Sequence, residues 1–165
     1  MELTEFERLC ETTYTRVFRA AFLILGNRQE ALDVAQETFA RAFARWGKVR
    51  AMESPEGWLI KVAVNQSISL RRRAWRRAFG PPPEVPSDPP EASDPALASA
   101  LGALTPAQRA AVIVRYYLDM SVQDASQALG KRPGTVRALT SQGVARLREI
   151  LGPEWLEDRD ERPVP

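Results

Sequence analysis

The sequence predicts an all-α protein: two small helical domains joined by a proline-rich, acidic linker. Three observations carry this. Apolar residues recur at helical spacing along most of the chain, no segment alternates convincingly as a strand, and 7 of the 13 prolines crowd between Pro81 and Pro95. Proline fixes φ, lacks an N–H and biases the preceding residue toward extended backbone. The stretch also has four acids and no base, so it neither packs a core nor continues a helix. The expected organisation is a first domain over 1–78, a linker over 79–97, a second domain over 98–152 and an acidic tail over 153–165.

The first helix follows a Thr4-x-x-Glu7 capping box, carries Phe6, Leu9, Cys10, Thr13, Val17, Ala20, Ala21 and Ile24 on one stripe, and stops at Gly26. Asn27 caps the second, whose stripe of Ala31, Val34, Ala35, Thr38, Phe39, Ala42, Phe43 and Trp46 ends at Gly47. A third opens with Ser54 as cap and Pro55 in its first turn, then runs through Trp58, Leu59, Val62 and Ala63 to the arginines near residue 77. Beyond the linker, Thr105-Pro106 starts a helix through Tyr117. Ser121 caps a short one that Gly130 ends, and another begins near Pro133 with Val136, Leu139, Gly143, Leu147 and Ile150 on its apolar face. Two helices joined by a tight turn describe a helix-turn-helix, although any three-helix bundle shares the pattern.

Composition removes several chemistries. With no His in 165 residues, neither a Ser-His-Asp or Cys-His nucleophile system nor a zinc site with His ligands is available, and the reading calls for no catalytic residues, no metal and no cofactor. One Cys forms no internal disulfide, which fits a reducing compartment. The longest apolar run, Ala20 to Leu25, falls far short of the ~20 residues a membrane span needs, and the acidic N-terminus is unlike a secretory signal. The chain therefore reads as complete, cytoplasmic and not inserted in a membrane.

The net charge of +2 conceals a strong pattern. Residues 41–77 hold 10 bases and 2 acids, residues 96–150 hold 7 and 3, and the segments before, between and after are acidic. Two basic blocks set off by acidic ones are the footprint of two contacts to a polyanion. In the first block Trp46, Trp58 and Trp75 are interleaved with Lys48, Arg50, Lys61 and the run Arg71-Arg72-Arg73-Ala74-Trp75-Arg76-Arg77, with Asn65 supplying an amide. Indole faces stack on flipped bases while cations follow phosphates, the requirement of single-stranded or melted nucleic acid. Tryptophans at helical spacing also fill cores, and Trp58 fits packing better than Trp75, the one expected to be most exposed. In the second block Lys131, Arg132, Thr135, Arg137 and Arg146 lie at or on the second helix of the helix-turn-helix. Asp33, Gln36 and Glu37 form an outward acid-and-amide row, which on chemistry alone equally describes a solvated helix face.

Taken together, Gly26-Asn27-Arg28-x-x-Ala31-x-Asp33-x-x-Gln36-Glu37-Thr38-Phe39, Pro55-x-x-Trp58-Leu59-x-x-Val62-Ala63-x-Asn65 and the arginine cluster resemble region 2 of the extracytoplasmic-function (ECF) sigma factors of bacterial RNA polymerase, in the sigma-70 family. Leu101-x-x-Leu104-Thr105-Pro106-x-Gln108-Arg109, Tyr116-Tyr117-Leu118-x-Met120-Ser121, Leu129-Gly130, Pro133-Gly134-Thr135-Val136 and Ala145-Arg146-Leu147-Arg148-Glu149 resemble their region 4. The resemblance implies a non-enzymatic promoter-recognition and melting subunit. Asp33, Gln36, Glu37 and Phe39 would bind core RNA polymerase. The loop from Trp46 to Pro55 and the helix from Trp58 to Arg73 would open the minus-ten element and hold its melted non-template strand. The helix from Pro133 would enter duplex promoter DNA at the minus-thirty-five element, and an anti-sigma factor would be a further partner. The chain departs from the family pattern at Leu32, Ser69, Ser126, Leu139 and Gln142; the last two stand where arginine is usual, which lowers phosphate affinity. The rival expectation is a stand-alone helix-turn-helix regulator whose N-terminal bundle serves oligomerisation.

Overall fold

The computed structural model describes residues 2–78 and 94–153; the acidic stretch and the tail expected from the sequence lie outside them, apart from their first or last residues. Every element among the described residues is helical, and the chain divides into two compact units, Met1–Ser87 and Asp88–Pro165.

Unit 1 consists of α1 (Glu2–Leu25), α2 (Arg28–Ala44), the single turn α3 (Trp46–Val49) and α4 (Pro55–Ala78). Its core is where the stripes of the three long helices meet: Val17, Ala20, Ala21 and Ile24 from α1, Ala31, Val34 and Ala35 from α2, and Leu59, Ala63 and Val64 from α4 are all fully buried. The small alanines let the backbones approach closely, and branched residues fill the remaining volume. Gly26 takes a left-handed φ of 69°, which ends α1 and lets Asn27 cap α2 at once, its side chain accepting from the Glu30 N–H at 3.0 Å. Ser54 Oγ accepts from the Gly57 N–H at 3.0 Å and so starts α4.

Three local expectations change. Helix α1 already begins at Glu2, so Thr4 lies inside it rather than at its cap. Gly47 sits within α3 instead of ending α2, which stops at Ala44. Phe43, placed on the buried stripe by periodicity, is 57% exposed near the end of α2, with the Phe6 ring tilted against it at 5.2 Å between centroids.

Unit 2 consists of α5 (Pro95–Gly102), α6 (Pro106–Val112) continuing into a π-helical turn (Ile113–Tyr117), α7 (Val122–Leu129) and α8 (Pro133–Leu151). Asp94 caps α5 through its bond to the Ala96 N–H. Thr105 and Gln108 form a reciprocal capping box at the start of α6: the Gln108 N–H donates to Thr105 Oγ1 and the Thr105 N–H to Gln108 Oε1, each at 3.2 Å. Ser121 caps α7, and Gly130 at φ 61° ends it. The turn from α7 to α8 is tied by Ser126, whose hydroxyl donates to the Lys131 carbonyl while the Lys131 N–H donates to the Ser126 carbonyl at 3.1 Å. Gly143 permits a close helix crossing: a Cβ there would lie 2.6 Å from Val112 Cγ2 and 3.4 Å from the Gln108 carbonyl oxygen. Val144 is buried although the expected apolar face did not include it, and Ile150, expected on that face, is 42% exposed near the end of α8.

Candidate nucleic-acid interface

At 3.6 residues per turn, Trp58, Lys61, Asn65, Arg72 and Arg76 fall within a wedge of about 60° on α4. Leu59, Ile60, Ala63, Val64 and Ser67 occupy the opposite, buried side, and Ile68 is buried at its border with the wedge. Lys61, Asn65, Arg72 and Arg76 are exposed and Trp58 is half-buried at the head of the stripe. One helix face thus presents an indole, an ammonium, an amide and two guanidinium groups, the donor set that tracks a strand of nucleic acid. Arg73 and Arg77 are exposed beside it, and Lys48 is exposed on α3.

Other residues of the basic block are engaged within the fold. Arg71 faces the core side of α4, and its guanidinium Nη1 donates to the Leu25 carbonyl oxygen at 3.0 Å, capping the end of α1. Burial pushes its pKa down, partly offset by the Glu30 carboxylate. The physical reason is register: Arg71 lies a helical turn beyond Ile68 on the apolar face, whereas Arg72 is rotated away from it. Trp46 packs edge-on against Phe6, with ring centroids 5.2 Å apart, and its indole N–H is buried, so this indole joins α3 to α1. Arg50 Nη1 lies 3.8 Å from Glu5 Oε2 on α1. Trp75 is half-buried like Trp46 and Trp58, so exposure does not single it out.

On α2, Asp33, Gln36 and Glu37 are exposed along one side. Gln29 donates to Asp33 at 3.1 Å, and Arg41 pairs with Glu37 at 2.7 Å across one turn. Phe39 does not join this row. It is 8% exposed and stacks on Tyr14 with ring centroids 5.7 Å apart, since its register places it on the α1 side with Val34, Ala35 and Thr38.

In unit 2, α8 shows Thr135, Arg137, Ala138, Ser141, Gln142 and Ala145 outward. Arg132 is exposed at its N-terminus and Lys131 half-buried in the turn before it. Arg146 is exposed but pairs with Glu149 at 2.9 Å. Sequence reasoning missed a second cationic feature. Arg115, Arg137 and Arg148 line one shallow groove of about 300 Å³ with Tyr116, Thr140 and Ser141, and no acid lines it. Arg115 is held there by donating to the Met120 carbonyl. These arginines are far apart in sequence and form no run; the helical spacing of 137 and 148 on α8 was the available signal. Among the described residues, no cluster of His, Cys, Asp and Glu could hold a metal ion, and no helix is long and apolar enough to cross a membrane.

Two outward cationic faces, one with an indole and an amide and one on the second helix of a helix-turn-helix, agree with the comparisons to known proteins. Residues 9–77 match the Sigma-70 region 2 family, and residues 95–147 match the Sigma-70, region 4 family. The RNA polymerase sigma-E factor of Streptomyces avermitilis is 31% identical over 96% of this chain and 91% of its own length. The chain belongs to the ECF sigma factors of the sigma-70 family. The sigma-E factor of Streptomyces coelicolor is 29% identical over 96% of this chain and 92% of its own. The ECF RNA polymerase sigma factor SigE of Mycolicibacterium smegmatis is 30% identical over 90% of this chain and 62% of its own. The fold is that of the sigma factor RpoE solved with the anti-sigma factor NepR from Bartonella quintana, with a TM-score of 0.71, 21% identity, and coverage of 89% of this chain and 96% of that one. This ECF sigma factor is thus a transcription initiation factor that works through core RNA polymerase and promoter DNA, and sigma factors as a class are non-enzymatic.

Proposed function

We propose that the two units divide the work of initiation, unit 1 joining core polymerase and holding the melted strand, unit 2 reading duplex DNA upstream. The observation that carries this reading is the α4 stripe Trp58, Lys61, Asn65, Arg72 and Arg76, which the packing of unit 1 leaves facing outward. Base stacking on an indole contributes about 1–3 kcal/mol per base, and the flanking cations neutralise phosphates, so together they offset the few kcal/mol of unstacking at each opened pair.

Asp33, Gln36 and Glu37 are the core-binding row, with Phe39 supporting α2 from within. In unit 2 the outward face of α8 enters the major groove, and Arg115, Arg137 and Arg148 hold the adjacent phosphates. The proposed organisation is a first domain over 1–78, a connection over 79–97 whose last residues enter α5, a second domain over 98–152 and a tail over 153–165. The reaction belongs to the polymerase; this chain supplies binding energy, needs no cofactor and acts in the cytoplasm. An anti-sigma factor is a further partner, in keeping with the complex formed by the Bartonella quintana relative. The rival reading, a helix-turn-helix regulator with an oligomerisation bundle, leaves the α4 stripe without a task.

Run-off transcription with purified core polymerase and a promoter library tests the reading. Initiation that depends on this chain is the expected result; core binding without initiation on any promoter contradicts it.

A further inference from the structure

The most informative departure from the family pattern is Gln142, which the structure joins to the Gln108 amide across the α6–α8 crossing. The polarity of that contact is set by a backbone group. The Thr105 N–H donates to Gln108 Oε1 at 3.2 Å, so the far end of the Gln108 amide is its NH2. That NH2 donates to Gln142 Oε1 at 3.5 Å. The Gln142 oxygen is therefore turned toward α6, and its NH2 is the end left for the outside. The contact exists because α8 crosses α6 closely: a side chain at Gly143 would collide with Val112 and press on the Gln108 carbonyl. Thr105, Gln108, Gln142 and Arg146 line one open groove there, and Glu149, paired with Arg146, closes its far end.

Around Gln142 the outward face of α8 is small, with Ala138 and Ala145 its neighbours at helical spacing and Ser141 the residue before it. Small residues let the helix approach the groove floor, which leaves Gln142 the longest uncharged polar side chain on that face. In the major groove an amide NH2 is matched by acceptors, and guanine presents two of them, N7 and O6. We propose that Gln142 is a specificity-determining residue of the upstream contact, presenting a donor to an acceptor-bearing base edge, guanine first, and that Gln108 is the positioning residue that fixes which end of its amide faces the DNA. The inference rests on α8 being the duplex-reading helix.

The test is initiation by core polymerase with the full-length chain on promoters randomised through the upstream element, read as base frequencies at each position. Wild type is expected to favour guanine at one position by about five- to tenfold, and Gln142→Ala to flatten that position alone. Gln108→Glu is the decisive variant. Glutamate keeps the capping box, since its oxygen still accepts from Thr105, but it has no donor; the Gln142 amide then turns its NH2 inward and its oxygen outward. Preference at that position should swing to a donor-bearing edge, cytosine or adenine, with folding intact by circular dichroism. A merely structural Gln108 would not move a base preference. An unchanged profile in Gln142→Ala, or in Gln108→Glu, overturns the inference while leaving α8 as the reading helix. Initiation with no dependence on the upstream element overturns the reading as well.

Discussion

The guanidinium of Arg71 donates to the carbonyl oxygen of Leu25 at 3.0 Å, a bond across 46 residues that fastens the end of α1 to the second half of α4. The last carbonyls of a helix have no partner within it and carry the negative end of its dipole, so a cation there satisfies both demands. One member of a five-arginine cluster thus serves the fold, and its neighbours are left to face outward.

Arg71→Ala should therefore destabilise unit 1 by about 1–2 kcal/mol in urea unfolding. Arg72→Ala, one residue away on the exposed side, should change stability by no more than about 0.5 kcal/mol. Equal effects would mean that the cap contributes nothing.

Arg72 and Arg73 should act on nucleic acid instead. Their double replacement by alanine is expected to weaken binding of the polymerase complex to melted DNA and to flatten its salt dependence, each lost single-strand phosphate contact reducing the slope by about 0.7. Titration of affinity against salt concentration measures this, and an unchanged slope would remove both residues from the interface.

The α2 helix separates binding from folding. Asp33→Ala with Gln36→Ala should leave thermal stability nearly intact and weaken core polymerase affinity by about tenfold, whereas Phe39→Ala, which empties a buried aromatic site, should cost about 3–5 kcal/mol of stability. Calorimetry alongside a core-binding titration distinguishes the two. Unaltered core affinity in the double variant would take the acid-and-amide row out of the docking face.

The α6–α8 crossing sets a further expectation. Gly143→Ala places a methyl 2.6 Å from Val112 Cγ2 and should destabilise unit 2 by about 1–3 kcal/mol. Adding Val112→Ala should recover part of that loss, as a double-mutant cycle would show.

Cys10 should be a sluggish thiol. Burial, then the Glu11 and Glu7 carboxylates, push its pKa up, so the thiolate fraction near neutral pH is below that of a free cysteine. Alkylation should be slower than for a free thiol at pH 7 and accelerate as pH rises; a rate equal to the free thiol's would contradict the burial.

Much of this was legible in the sequence because caps and apolar periodicity are local signals. Asn27, Ser54 and Ser121 each act as the cap their spacing announces. Neighbouring residues within one charged run were harder to separate. Nothing local distinguishes Arg71 from Arg72 until the register of α4 against α1 is known, and Phe39 and Phe43 share one apolar stripe although Phe39 is buried and Phe43 is 57% exposed. Single-turn elements such as α3, and the π-helical turn that lets Tyr116 flank the Arg115 groove, follow from packing rather than from any pattern of residue types. The Gln108–Gln142 contact belongs to the same class: 34 residues separate the two, and only the close crossing at Gly143 unites them.

The most direct test of the central claim is the affinity of core polymerase carrying this factor for a promoter fragment already melted over the minus-ten element, wild type against Lys61→Ala with Asn65→Ala and Arg72→Ala. The account predicts a loss of tenfold or more, about 1.4 kcal/mol, with core affinity and unfolding midpoint unchanged. Equal affinity for the melted fragment would contradict it and would return the α4 stripe to the status of a solvated helix face.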